Sequence, residues 1–226
     1  MTEENKINTL LDMLDTVQEG LLSLPDDMLL SIDPRDNESL DEGAQFIKEY
    51  NDVLGTFTQS TAKIAEMIKR HFDVNPEEDE VEKESANRGK RDRIIKELDR
   101  TESHFLGENF TYKRPYGFIL GEAAYKGLKT WKNLYMHILR LLQEKDAEKF
   151  ARLPREPKFI SRRGNPLFSP NRDDLRVAGE FADGFFVEVN LSANHILKGI
   201  ENLLEHFGIP PRNLKIYLRE DRDAEN

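Results

Sequence analysis

The chain has 226 residues, of which 34% are charged and 38% hydrophobic, and its formal net charge is −10. It contains no cysteine, which excludes disulfides, thiolate nucleophiles and every zinc or iron–sulfur site that depends on thiolate ligands. No apolar run approaches the roughly 20 residues that a membrane-spanning helix needs, and the polar start lacks the pattern of a signal peptide. We therefore expect a soluble, cytoplasmic protein with no membrane partner.

The charge falls into three blocks along the chain. Residues 1–82 carry 6 basic and 21 acidic side chains, residues 83–178 carry 22 and 13, and residues 179–226 carry 5 and 9. The corresponding net charges are −15, +9 and −4. A basic middle segment can bind a polyanion even on an acidic protein, so nucleic acid is a candidate partner.

Two helices are predicted within residues 1–72. Apolar residues spaced alternately by three and four, from Ile7 through Leu14 to Leu24, form an a/d seam that Pro25 is expected to end. SLDE at residues 39–42 is a capping box for a second helix, from about residue 40 to residue 72. A hairpin this thin buries little surface alone, so we expect it to pair with another copy or to pack on the rest of the chain.

The middle of the chain changes character twice. Residues 73–90 lack apolar periodicity and are predicted to be a linker or a solvated helix extension. GKRDRIIKELDR, residues 89–100, is predicted to be a short helix with a basic face. From residue 110 the pattern predicts a β-hairpin at YGFILGEAAYKGL, a helix capped by Thr130, and a short helical piece near residues 146–153.

The last third predicts a strand, a turn and a helix in close succession. FFVEVN is expected to be a strand, Ser192 to cap the following helix, Gly208 to end it, and NLKIYL to form a final strand. The fold class is therefore α+β: an N-terminal helical hairpin or coiled-coil segment plus a small mixed α/β C-terminal domain. The predicted boundaries are an acidic helical oligomerisation module (1–72), a charged linker with a basic helix (73–109) and an α+β domain (110–226).

Few catalytic patterns are present. No two histidines have the i, i+4 spacing of a helical metal pair, and no phosphate-binding glycine loop or GxSxG motif occurs. Asp183 and Glu188 could belong to a metal-dependent nuclease, but the lysine that such sites carry two residues after the acid is replaced by Asn190. We predict no catalytic residue, no metal site and no cofactor.

Two loops suit nucleic-acid contact. Asn190, Ser192 and Asn194 lie in what we call the asparagine loop (residues 190–195), at the N-terminus of a predicted helix, where free N–H groups and a partial positive charge suit a phosphate. An asparagine amide can also bind N6 and N7 of adenine. Arg162 and Arg163 lie beside a glycine in the arginine loop (residues 161–165), from which they could reach a backbone or a guanine edge. For Ser192 the alternative is a helix cap and nothing more.

The stretches AEKFARL, RGNPLFSPNRDDL and FFVEVNLSANHILKGIENLLEHFGIPPRNL resemble the C-terminal DNA-binding domain of SeqA, the bacterial negative modulator of replication initiation. The resemblance covers about residues 131–214. It implies contact with methylated adenine in GATC sites from the major groove, through an asparagine loop and an arginine loop, and oligomerisation through a separate N-terminal helical segment.

Carried over, the resemblance keeps the residue type at Asn190 and Arg163. Ser192 and Asn165 stand where the family has asparagine and arginine, and Ala193-Asn194-His195 replaces its basic residues, which leaves methyl-adenine specificity open. Phosphate contacts tolerate such changes, so DNA binding is still expected. The predicted DNA-binding residues are Arg162, Arg163, Asn165, Asn190, Ser192 and Asn194.

We therefore predict a non-enzymatic, oligomeric protein that binds double-stranded DNA through its C-terminal domain and self-associates through residues 1–72. The alternative is an adaptor or accessory subunit of a prokaryotic complex, such as a genome-defence assembly, whose acidic helices dock a protein partner. An enzyme is the third hypothesis. Basic side chains clustered on one exposed face would favour DNA, whereas basic side chains neutralised by acids would favour the adaptor.

Overall fold

The computed structural model describes residues 3–72, 88–161, 164–182 and 184–224. The predicted α+β architecture, with long N-terminal helices, is confirmed. The helices are α1 (Glu3–Ser31), α2 (Asn37–Phe72), α3 (Arg88–Leu98), α4 (Trp131–Lys145), α5 (Ala147–Ala151), α6 (Ala193–His206) and α7 (Arg219–Ala224). The strands are β1 (Pro115–Leu120), β2 (Ala123–Lys126), β3 (Phe168–Ser169), β4 (Ala178–Ala182), β5 (Phe185–Glu188) and β6 (Leu214–Leu218). Among these helices none has the length and apolar character needed to cross a bilayer.

Helix α1 is longer than the sequence predicted. The prediction that Pro25 ends it is wrong, because the helix continues through Pro25 to Ser31. A proline lacks the N–H that would bond to the carbonyl four residues earlier, here that of Leu21. The hydroxyl of Tyr50 on α2 donates to this carbonyl oxygen at 2.9 Å. The partner helix of the hairpin therefore supplies the donor that proline removes.

Helix α2 begins at Asn37, three residues before the predicted start. The Asp36 carboxylate accepts a hydrogen bond from the backbone N–H of Glu38 at 3.0 Å, and the Asp36 carbonyl accepts from the N–H of Leu40. Asp36 thus takes the capping position that was predicted for Ser39, and Ser39 lies inside the helix. A carboxylate at this end also interacts favourably with the helix dipole.

The rest of the described chain, residues 88–224, forms what we call the body. It holds two antiparallel sheets, with strand orders β2-β1-β6 and β3-β5-β4. One apolar core joins them through α4 and α6, and Trp131, Tyr135 and Phe168 are among its fully buried side chains. The body therefore has a core that needs no side chain from the hairpin.

The predicted helix ends in the body are confirmed. Thr130 caps α4 by accepting from the N–H of Asn133 at 3.1 Å, and Ser192 caps α6. Helix α6 ends in a Schellman motif: Gly208 has φ of +69°, and the N–H groups of Gly208 and Ile209 donate to the carbonyls of Glu205 and Leu204. Each of these three helix ends depends on residues within one turn of it, which is why the sequence alone could place them.

Helix α3 belongs to the body. Its buried Ile94 and Leu98 pack with Ile119, Ala124 and Tyr217 of the first sheet. Gly117 permits this approach, since a Cβ at that position would collide with the Leu98 side chain. The body consequently begins at α3, earlier than the predicted boundary at residue 110. The predicted linker at residues 73–87 lies outside the described residues.

Candidate nucleic-acid interface

Asn190 follows β5 and lies beneath helix α2. Only 9% of its surface is exposed, its side-chain Oδ1 accepts from the hydroxyl of Thr58 at 3.2 Å, and its N–H donates to the Glu188 carboxylate at 2.8 Å. Alternation along the predicted strand places Asn190 on the face opposite Val187 and Val189, which predicts that it lies outside the core. In this structure that expectation is wrong, because α2 covers the face from which the side chain projects.

Ser192 and Asn194 lie beneath helix α1. The Ser192 hydroxyl donates to the Asp26 carboxylate at 2.8 Å and accepts from the N–H of His195 at 3.4 Å. The Asn194 amide donates to Asp26 at 3.3 Å, while its oxygen accepts from the N–H of Phe110 at 3.0 Å. Ser192 is therefore a helix cap, as the alternative hypothesis required. It also helps to seat a carboxylate at the N-terminus of α6.

Glu188, the acid of the nuclease hypothesis, is only 3% exposed. Its carboxylate accepts from the backbone N–H groups of Arg176 at 2.9 Å and Asn190 at 2.8 Å. These bonds tie the segment before β4 to the start of the asparagine loop, which is a structural use of the group. Asp183, its proposed partner, lies outside the described residues.

The arginine loop is described only in part. Arg162 and Arg163 lie outside the described residues, and Asn165 is exposed in a tight turn in which Gly164 has φ of +80°. The N–H groups of Gly164 and Asn165 donate to the Ser161 carbonyl and hydroxyl at 2.8 and 3.0 Å. Because β3 follows this turn and pairs antiparallel with β5, the start of β3 lies beside the end of β5. The turn therefore lies at the same end of these strands as the asparagine loop.

Three acids spaced by seven residues, Asp12, Glu19 and Asp26, form one face of α1, which we call the acidic stripe. Asp12 pairs with the Lys129 ammonium at 2.9 Å, and Glu19 accepts from the backbone N–H of Lys132 at 3.1 Å. Asp26 lies at the N-terminus of α6, as described above. The stripe therefore covers one lysine and two helix N-termini of the body.

Glu19 is the most perturbed carboxyl of this contact. Burial raises its pKa from 4.5 to about 8, against the opposing effect of hydrogen bonds from the backbone N–H groups of Lys132 and Trp131. These two N–H groups belong to the first turn of α4, where no carbonyl within the helix can accept from them. Glu19 thus extends the cap that Thr130 begins.

A cleft of about 440 Å³ lies beside these contacts, between the hairpin and the body. Charges of both signs line it, including Asp15 and Glu66 from the hairpin and Arg140 and Arg172 from the body. Arg172 and Glu66 approach to 4.0 Å across it. Acids of the hairpin thus face basic side chains of the body across this cleft.

Many basic side chains of residues 83–178 have acidic partners. Within the described residues, those within 4.0 Å of a carboxylate are Arg91, Arg114, Lys126, Lys129, Arg152, Lys158, Arg172 and Arg176. By the criterion stated above, such neutralisation favours the adaptor hypothesis. On and just beyond α3, in contrast, Arg93, Lys96 and Arg100 are exposed at helical spacing.

One group of side chains has the composition of a metal site. Glu102, His104 and Asp221 each place a ligand atom within 4.8 Å of the others. The two ring nitrogens of His104, however, lie 2.7 Å from Glu108 and 2.9 Å from Asp221. Burial lowers the pKa of His104, but the two carboxylates outweigh it and the net pKa is raised, so a protonated imidazole accounts for this geometry.

The residues that cover the asparagine loop were not predicted from the sequence. Thr58 gave no signal beyond a place on a helix, but the seven-residue spacing of the acidic stripe could have been noticed. A scan against protein-family models, a search of curated proteins and a search of solved structures found no match to this chain. The resemblance to the SeqA domain therefore stays a prediction from the stretches quoted above.

Proposed function

We propose that the protein binds duplex DNA without catalysis, through the face of the body that includes the asparagine loop. We further propose that the acidic stripe of α1 occupies this face in the state described. The observation that supports the proposal is that carboxyl groups of α1 bind at the N-termini of both α4 and α6 and to Lys129.

Carboxylate and phosphate oxygens are both anionic acceptors, and both are stabilised by helix N-termini and lysine. A surface that holds three carboxyl groups in a row, two of them charged at neutral pH, therefore has the donors that a phosphate backbone needs. Successive acids of the stripe are about 10 Å apart along α1, from a rise of about 1.5 Å per residue. The Thr58 contact also covers Asn190, the predicted base-contacting residue. DNA would thus have to displace the hairpin before it could reach this face.

Neutralising the acidic stripe in the full-length chain tests the proposal. Asp12→Asn and Asp26→Asn keep the side-chain shapes but remove two charges, and Glu19 is left unchanged because its raised pKa of about 8 keeps it uncharged at neutral pH. The matched control removes two exposed acids elsewhere on the hairpin, through Asp41→Asn and Asp52→Asn. Fluorescence anisotropy with adenine-methylated and unmethylated duplexes, over a salt series, measures the affinity.

We expect the stripe variant to bind at least tenfold more tightly than both the wild type and the control. Its log K should fall with log salt by about 0.9 for each phosphate contacted. Equal gains in DNA affinity for the stripe and control variants would show that only net charge matters. That result would overturn the proposal that the acidic stripe occupies the DNA-binding face. No salt-dependent binding by any of the three proteins at 50 mM salt would overturn DNA binding itself.

The adaptor hypothesis is the second candidate, and a separate observation favours it. Eight basic side chains of the middle segment already have carboxylate partners, which reduces the positive charge that can bind a polyanion. If the anisotropy experiment finds no DNA binding, the hairpin becomes the candidate docking element for a protein partner.

A further inference from the structure

The outer side of helix α2 carries an apolar seam that the described chain leaves largely exposed, although Tyr50 at its edge reaches α1. Its positions alternate by four and three and are Phe46, Tyr50, Val53, Phe57, Ser60, Ile64 and Met67. Phe46 is 45% exposed, Val53 71%, Ile64 50% and Met67 63%. Spacing of this kind is that of the a and d positions of a coiled coil, and large exposed apolar side chains in a row mark an interaction surface.

Helix α1 extends this surface. The bonds from Thr61 to Gln18 and from Tyr50 to Leu21 fix the antiparallel register of the hairpin. In that register the exposed Leu10 lies level with Met67, and Met13 lies level with Ile64. The seam predicted on α1 is only partly available, however, because Leu14 faces the cleft between the hairpin and the body.

The charges beside the α2 seam indicate what covers it. One flank is formed by Glu42, Glu49, Thr56, Lys63 and Arg70, which are seven residues apart and all exposed. Its N-terminal half is acidic and its C-terminal half is basic. A flank whose charge changes sign in this way is complementary to the same flank of a second copy that runs in the opposite direction.

We propose that two copies of the chain pair through α2, antiparallel, about a two-fold axis at the level of Thr56. In antiparallel coiled coils the flank in question faces its own copy, so Glu49 lies opposite the second copy's Lys63 and Glu42 opposite its Arg70. A parallel pair would instead set this flank against Leu54 and Thr61, which carry no charge. The sign change along the flank therefore has a use only in the antiparallel arrangement.

The same register matches the seam residues by size. Phe57 packs against Val53 of the second copy on either side of the axis, Tyr50 against Ser60, and Phe46 against Ile64. The Tyr50–Ser60 pairing sets a large side chain against a small one, which lets the helices approach closely. The opposite flank, which includes Leu54 and Thr58, is already buried against α1 and the body, so the hairpin keeps its docked position.

Charge exchange between two variants tests this arrangement. In one variant Glu42→Lys and Glu49→Lys make the flank positive, and in the other Lys63→Glu and Arg70→Glu make it negative. Each variant alone should dimerise more weakly than the wild type by a factor on the order of one hundred, because four attractive pairs become repulsive. An equimolar mixture should restore dimers to within about threefold of the wild type, measured by sedimentation velocity.

The matched control, Asp41→Lys with Asp52→Lys, makes the same change of charge on exposed positions away from the flank and should leave the dimer in place. Val53→Asp should abolish the dimer without unfolding the chain, since the side chain is 71% exposed. Far-ultraviolet circular dichroism of each variant checks that the helices are retained. The proposal is overturned by a wild type that is monomeric at 100 µM, by a mixture that fails to dimerise, or by a control that weakens as much as the flank variants.

Cross-linking gives the orientation independently. The chain has no cysteine, so Thr56→Cys introduces a single thiol that faces its own copy across the axis. A short bismaleimide should join this variant into covalent dimers and leave Lys48→Cys, on the outward side of α2, unjoined. Equal cross-linking of the two variants would exclude the antiparallel register.

Discussion

Glu19 offers the sharpest test of how the hairpin is held. Its carboxyl lies between α1 and the first turn of α4, and its pKa is raised to about 8 because burial disfavours the charged form. Between pH 4.5 and about 8, the folded protein therefore keeps a proton on Glu19 that the unfolded chain, with a pKa of 4.5, has released. The stabilisation from this group is complete below pH 4.5 and is lost as the pH rises through 8. Glu19→Gln should remove this pH-dependent loss of stability, and its amide oxygen can still accept from the N–H of Lys132.

The magnitude follows from the shift. One pKa unit corresponds to about 1.4 kcal/mol, so the interval from 4.5 to about 8 sets an upper limit of about 5 kcal/mol. Because the Glu19 side chain keeps some contact with water, we expect about 2 kcal/mol. The variant and the wild type should have equal free energies of unfolding near pH 4.5, and the variant should be the more stable by about 2 kcal/mol at pH 8.5.

Urea denaturation between pH 4.5 and 9 measures this difference. The only tryptophan, Trp131, is 1% exposed at the start of α4, so its fluorescence reports on the site directly. Taking the difference between variant and wild type cancels the titration of groups that both share, and the exposed Glu38→Gln controls for the loss of one charge. A difference that stays constant across this pH range would refute the buried, protonated Glu19.

Three further outcomes are expected. Tyr50→Phe leaves the Leu21 carbonyl, four residues before Pro25, without its hydrogen-bond donor. It should lower the free energy of unfolding by about 1 kcal/mol in urea denaturation. Ser192→Ala removes the cap of α6 and should cost about 1 kcal/mol by the same assay, whether or not DNA is present. The raised pKa of His104 means that its stabilisation is complete below pH 6.5 and is lost as the pH rises through the folded value, so stability profiles of His104→Gln and the wild type should converge at high pH.

The sequence by itself determined the local structure of this protein. Ser192 and Thr130 cap the helices for which they were predicted, and Gly208 ends α6, because each signal depends on residues within one turn of the helix end. The β-hairpin of β1 and β2 was likewise predicted from its turn and two short runs. The same reasoning failed at Pro25, where the deciding hydroxyl belongs to Tyr50 on another helix.

Only the tertiary structure decided what lies against the asparagine loop. Asp26 and Ser192 are 166 residues apart in the chain, and Thr58 and Asn190 are 132 apart, so no local pattern could pair them. The apolar spacing of α1 and α2 indicated helices with a face to bury but gave no means of choosing which face the body takes. That choice depends on which donors the body presents. Backbone N–H groups in the first turn of α4 donate to Glu19, and the side chains of Ser192 and Asn194 at the N-terminus of α6 donate to Asp26, so the seam on the other side of α2 is left facing solvent.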